Sequence, residues 1–421
     1  MNSKLLAAMN KFRVKLSLFL NYFVFAILLN SVGSVILQVQ HNFDVSKGAA
    51  SVLEAFKDLS IAIASFLLAS SVRRIGYKKS MLLALLLVSV MCLIIPSLNY
   101  FWMVKLLFAS VGVGFALVKV SVFATIGLVT SDQKEHLSTM NFLESFFMVG
   151  ILAGYFLFAH FVDNNDPHSR EWFKAYYLLG ALSLLAFFLL YSTPLDESAV
   201  HEQQEIQNSA RDFMDMLQLI VKPLVLVFIF SAFLYVLIEQ SIMSWLPTFN
   251  SDVLKLSSSL SIQMASILSG SFALGRFLAG ILLKKIDWIW LLSGCLLGAS
   301  ILVLITVPMA GNVHVISVNS LSEVPAVAFL FPLIGLLLAP VYPAINSVIL
   351  SNLPKKQHAS MSGLIVVFSA LGGTTGSIIT GHIFDAWGGQ VAFYCSLIPI
   401  TVLIGLLFLF RKLDRQISST V

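Results

Sequence analysis

Charge is what this 421-residue sequence is short of: Asp, Glu, Lys and Arg make up 11% of it, against 58% hydrophobic residues and a mean hydropathy of +0.91. So few charges cannot coat a water-soluble globule, so that class is excluded and the chain reads as an integral membrane protein. Cysteine is scarce as well. Cys92, Cys295 and Cys395 all lie in apolar runs, and an odd, scattered set is neither a disulfide framework nor a metal site. Metal-ligand spacing is absent, as is any nucleophile triad. The glycines of Gly372-Gly373-x-x-Gly376 lack the GK[ST] of a phosphate loop and suit close helix packing instead. No cofactor, no metal and no catalytic residue is expected. The basic N-terminal segment, with Lys4, Lys11, Arg13 and Lys15, has no small-residue cleavage site behind it, so it reads as a retained first helix. Without an Asn-x-Ser/Thr sequon, a lipidation motif or an organelle signal, the expected compartment is a bacterial inner (plasma) membrane, crossed many times.

What the chain does have is long apolar runs. About 20 residues cross about 30 Å of hydrocarbon at 1.5 Å per residue. Such runs lie near 14–38, 49–72, 80–99, 101–129, 138–161, 172–191, 222–247, 259–283, 287–308, 325–350, 360–384 and 391–410. They predict twelve transmembrane helices. With both termini cytoplasmic, 18 Lys and Arg fall on inner segments, while only Lys47, Arg170, Lys174 and Lys255 fall on outer ones. That bias sets the orientation, and because the basic residues follow topology, nucleic-acid binding is not indicated.

The runs also repeat. A shift of 211 residues lays the first two helices on the seventh and eighth and sets Arg73–Tyr77 over Lys284–Trp288. A shift of 222 sets His136, Ser138, Phe146, Gly150, Gly154 and His160 over His358, Ser360, Phe368, Gly372, Gly376 and His382. The fold class is therefore all-α: a six-helix bundle over 1–192, a cytoplasmic linker with an amphipathic part over 193–221, and a second six-helix bundle over 222–421. The histidine pairs read as repeat ancestry rather than a metal pair.

Eight ionisable residues fall inside predicted spans: Glu54, Lys57, Asp58, Lys105, Lys119, Glu144, Glu239 and Arg276. A charge at the bilayer centre costs about 2.5 to 3.5 kcal/mol even on the lenient insertion scale, so such residues face partners or a water-filled cavity. Three of them crowd into SVLEAFKDLS (Ser51–Ser60). Read as a loop, that stretch leaves a helix from Ile61 to Val72, about 18 Å long and too short to cross. Extended back to Ala49 the helix reaches about 36 Å, with Asp44 or Ser46 available to cap it. Glu54, Lys57 and Asp58 then share one stripe inside the span. Lys119 and Glu144 enter the membrane from one cytoplasmic hairpin and are within pairing reach. Arg276 reaches either the inner surface or an inter-helix carboxylate.

Twelve spans in two parallel repeats, with a basic loop after helix two and a weaker copy after helix eight, resemble the major facilitator superfamily. YVLIEQSIMSWLP (Tyr235–Pro247), GRFLAG (Gly275–Gly280) and PVYPAI (Pro340–Ile345) are most similar to its fucose/galactose/glucose proton-symporter branch. The resemblance implies a lipid-facing scaffold of helices three, six, nine and twelve, none of which carries a deep charge here. It also implies proton-coupled uptake, with Glu239 at the place of the branch's acid. The chain departs from the branch in three places: Arg73-Arg74-Ile75-Gly76 lacks the usual loop Asp, Ser31 follows Asn30, and Val118 and Lys119 stand where an acid is common.

The reading is a secondary transporter, not an enzyme, which moves a small polar, carboxylate-bearing anionic solute with a proton as the coupled ion. The substrate-binding candidates are Asn30, Lys57, Lys119, Tyr235, Glu239, Trp245, Tyr342 and Asn346. Proton coupling falls to Glu54, Asp58, Glu144 and Glu239, and gating to Arg73, Arg74 and Arg276. The expected partners are the solute, the ion and the lipid bilayer, with the protein a monomer. A proton/sugar symporter and a multidrug exporter are the alternatives.

Overall fold

The computed structural model describes residues 3–98, 100–130, 133–166, 168–195, 197, 218–283, 285–312, 318–351 and 358–418. Among these the chain is helical throughout, apart from one isolated bridge between Leu256 and Val318. Among the described residues, ten helices are long and apolar enough to cross a membrane. The two predicted spans outside that set are 49–72, seen as the helix Lys47–Ile75 that holds Glu54, Lys57 and Asp58, and 391–410, whose counterpart Leu397–Ser418 has charged last turns. Most of the amphipathic part of the linker lies outside the described residues.

Contacts divide the chain into two compact units: the first holds Met1–Val32, Phe56–Phe161 and Ser169–Gln207, the second Gly33–Ala55, Val162–His168 and Asn208–Val421. The long helices before the linker are α1 (Ser3–Asn30), α2 (Val32–Phe43), α3 (Lys47–Ile75), α4 (Tyr77–Ile94), α5 (Phe101–Val129), α6 (Gln133–Phe161) and α7 (Lys174–Ser192). After it come α8 (Pro223–Met243), α9 (Leu246–Asp252), α10 (Ser258–Leu282) and α11 (Trp288–Gly311). The tenth predicted span is broken by proline into Val327–Leu330, Phe331–Leu333, Ile334–Leu338 and α12 (Val341–Ser351); α13 (His358–Tyr394) and α14 (Leu397–Ser418) end the chain. The predicted boundary between 384 and 391 is a kink at Gly388, whose φ is 80°, with α13 running on to Tyr394.

The first predicted span of each repeat is two helices, and both breaks have local causes. The Asn30 side chain donates to the Ala26 carbonyl at 2.9 Å and the Ser31 hydroxyl to Leu28 at 2.8 Å, so side chains take the last turn's acceptors as α1 ends. α8 stops at Ser244, just ahead of Pro247 in the first turn of α9. Under the 211-residue shift the two breaks fall within three residues of each other.

Glycines make the equivalent helix pair in each unit. In the first, a Cβ on Gly150 of α6 would lie 2.7 Å from Ala26 Cβ and 2.9 Å from the Phe23 carbonyl oxygen of α1. In the second, Gly372 and Gly376 of α13 would bring theirs to 2.3 Å and 2.4 Å of the Phe233 and Leu237 carbonyl oxygens of α8. Only glycine admits backbone that close.

Candidate functional site

α3 runs unbroken through Glu54, Lys57 and Asp58, so the stripe lies inside one helix, and all three side chains are buried. Lys57 Nζ stands 3.4 Å from Asp58 Oδ1. Gly112 of α5 lets that helix approach them closely: a Cβ there would lie 2.4 Å from the Lys57 carbonyl oxygen. Within the second unit, Glu54 accepts the Ser244 hydroxyl proton at 2.8 Å, while Gln240 Oε1 stands 3.3 Å from the same hydroxyl. A hydroxyl has one proton to give, and the nearer oxygen, that of Glu54, takes it.

In the first unit Lys119 and Glu144, on α5 and α6, are both exposed although each sits within a span-length apolar helix. Glu144 interacts electrostatically with Lys119 and with Tyr22. An aromatic floor surrounds them. The Tyr22 ring lies 6.0 Å from Phe115, 6.0 Å from Phe123 and 5.1 Å from Phe147, and Lys119 Nζ is 5.8 Å from the Phe115 centroid. Asn30 is half-buried at the end of α1, with its amide spent on Ala26.

The second unit brings five candidates together. On α8 the Tyr235 hydroxyl donates to Glu239 Oε1 at 3.2 Å, and Arg276 Nη2 of α10 lies 4.0 Å from the same oxygen. Tyr235 stacks on Tyr342 of α12 with ring centroids 5.6 Å apart, and the Tyr342 hydroxyl is 2.9 Å from Ser369 Oγ of α13. Asn346 lies one turn along α12, and its Oδ1 is buried without a hydrogen-bond partner. Of the two options left to Arg276, the structure shows the carboxylate. Trp245 stands apart from this group: it is fully buried, its indole N–H reaches the Ser377 carbonyl and hydroxyl oxygens at 3.1 Å, and its ring stacks on Phe384. The break at Ser244 ends the helical phase that had set Trp245 above Glu239.

Arg73 and Arg74 lie in the last turn of α3, with side chains outside the described residues. The turn behind them uses Gly76 at φ 94°, and Glu197 from beyond α7 accepts the Lys78 amide at 2.6 Å. That carboxylate holds the start of α4, where the basic loop has no acid of its own. Lys78 Nζ meanwhile reaches the Tyr191 and Thr193 carbonyls. Sequence reasoning missed Ser244, Ser369, Tyr22 and Glu197. Neutral hydroxyls in apolar helices carry no distinguishing signal, and Glu197 is one of several acids in the stretch after α7, so the sequence alone does not single it out.

The sequence matches the Major Facilitator Superfamily over residues 18–373. It matches no curated protein. Solved structures share its fold at low identity. The nucleoside transporter NupG is 15% identical, with a TM-score of 0.72 over 96% of this chain and 98% of that one. A bacterial homolog to the human lysosomal transporter Spinster, in an inward-facing and occupied conformation, is 15% identical with a TM-score of 0.72 over 97% of each chain. The superfamily transporter FucP, in an outward conformation, is 17% identical with a TM-score of 0.60 over 94% of this chain and 97% of that one. With the family match covering most of its length, the chain belongs to the Major Facilitator Superfamily.

Proposed function

We propose that the protein is a proton-coupled secondary transporter for a small, carboxylate-bearing organic solute, with twelve spans and both termini cytoplasmic in a bacterial inner membrane. The observation that carries this reading is that each unit sets a cation with a carboxylate neighbour within its membrane helices: Lys119 with Glu144, and Arg276 with Glu239. Within a membrane such a pair has two ways to stay neutral. The glutamate neutralises the cation, or it takes a proton and leaves the cation to a solute carboxylate. Solute and proton then bind together, which is symport, and alternating access of the two repeats completes the cycle. Lys57 and Asp58 repeat the same pairing within α3, so Asp58 and Glu54 are the further candidates for the proton.

A proton/sugar symporter is the second reading. The stacked Tyr235 and Tyr342, with the unpartnered Asn346 Oδ1 beside them, suit a hydroxyl-bearing ring. FucP and the D-xylose–proton symporter among the fold neighbours are consistent with it. A thermal-shift screen of the purified protein against carboxylates, amino acids and neutral sugars separates the two. Stabilisation by carboxylates that Lys119→Ala removes supports the first, and stabilisation by neutral sugars alone, retained in Lys119→Ala, overturns it.

A further inference from the structure

The first amides of a helix have no partner within it, and the usual remedy is the side chain just before them. α3 and α10, related by the 211-residue shift, instead take partners from far along the chain. At α3, Ser46 Oγ accepts the Ala49 amide at 3.1 Å. The two amides before it go to Asp385 of α13, Lys47 N–H to Oδ1 at 2.9 Å and Gly48 N–H to Oδ2 at 2.6 Å, across 338 and 337 residues. At α10, Ser257 makes no side-chain cap, and the Ser259 amide goes to Asn164 Oδ1 at 3.0 Å, 95 residues away. Gly48 and Ser259 are 211 positions apart, and Asp385 and Asn164 are 221 apart, one short of the second repeat shift. The two caps are therefore one contact made twice, with the donor and acceptor repeats exchanged.

All of these residues lie in the second unit. Further polar contacts join the same segments: Lys47 Nζ to Asp252 Oδ2 at 2.9 Å, the Gln40 amide to Thr248 Oγ1 at 3.3 Å and the Asn42 amide to the His168 carbonyl at 2.7 Å. The fit at α3 is close, since a Cβ on Gly381 would lie 2.7 Å from Trp245 and 2.9 Å from the Lys47 carbonyl oxygen. Yet Lys47 and Asp385 keep access to solvent, so water can take over each hydrogen bond when the partners separate. The glycine-on-carbonyl packing of α13 on α8 has no such substitute.

We propose that the two exchanged caps form a single latch at the outer entrance, closed here, which opens at both helix ends together when the protein turns outward. This rests on the alternating-access reading above. A cap serving only its own helix needs nothing beyond the adjacent residue, as Ser46 shows. Caps exchanged between repeats tie the helix ends to the relative movement of those repeats.

Hydrogen–deuterium exchange of the full-length protein in lipid nanodiscs tests this at the first turns of α3 and α10, in the wild type, Asp385→Ala and Asn164→Ala. Loss of a hydrogen bond of this kind speeds local exchange about tenfold or more. The latch predicts that rise at both helix ends in each variant, with α4 and α11 unchanged as the control for folding. Faster exchange only at the helix whose own cap was removed, or no change, overturns it. Should Asp385→Ala disturb α4 and α11, Asp385→Asn, which keeps one acceptor oxygen, is judged by the same criterion. No solute enters the measurement, so its outcome is independent of whether any solute is carried.

Discussion

Gly376→Ala probes the helix contact on which the second unit is built. A Cβ at that position would stand 2.4 Å from the Leu237 carbonyl oxygen and 2.9 Å from Ser241 Oγ, whereas ordinary van der Waals contact begins at 3.4 Å. The serine can rotate away. The carbonyl cannot, because it belongs to the backbone ladder of α8, so α13 and α8 must part by about 1 Å and loosen the packing along both. Overpacking of this kind costs about 1–3 kcal/mol, and backbone on backbone falls at the upper end. Gly270 of α10 is the control, since nothing lies within 4 Å of a Cβ there. Alanine at that position gains about 0.5–1 kcal/mol from reduced backbone freedom. The two variants should therefore differ by roughly 1.5–4 kcal/mol in unfolding free energy, read as a lower apparent melting temperature for Gly376→Ala in detergent. If both variants melt together, the close approach of α13 to α8 is wrong.

Two further outcomes follow from placement. His41, beyond the end of the first span, has its pKa lowered from 6.5 chiefly by burial; Asp252 opposes this, His168 and Lys47 reinforce it, and Asp44 opposes it weakly. The unfolded chain then binds the proton at higher pH than the folded one, so stability rises with pH across the window just below 6.5. Melting at pH 5.5 should come at a lower temperature than at pH 7.5, with a smaller gap in His41→Gln; equal gaps in the two proteins would contradict this. Trp245→Phe removes the indole N–H from the buried Ser377 carbonyl, which costs about 1–3 kcal/mol. It should lower the melting temperature while leaving the ligand-induced shift intact, and loss of that shift without loss of stability would return Trp245 to the binding site.

Run length and hydropathy made most spans legible in the sequence, because a helix must be about 20 residues long to cross and its backbone must satisfy itself. The charged stripe of α3 was legible for the same reason: no shorter helix would reach. The broken first span of each repeat was not, since it depends on where a few polar side chains and Pro247 take hydrogen bonds locally. That local break also moved Trp245 out of the predicted face. Ser46 as a cap could be read from the adjacent residues, whereas Asp385, the stronger partner, lies 338 positions from Lys47 and becomes visible only once the chain is folded. Glu239 and Arg276 were both recognised as membrane charges, but their pairing depends on the packing of α8 against its neighbours, which periodicity does not encode.

Uptake by proteoliposomes under an imposed inward proton gradient tests the central claim most directly. The account predicts concentrative accumulation of a carboxylate solute that collapses with the gradient, fails in Lys119→Ala, and loses its proton dependence in Glu144→Gln. Accumulation confined to neutral sugars and undiminished in Lys119→Ala, or carboxylate uptake indifferent to the gradient, would contradict it.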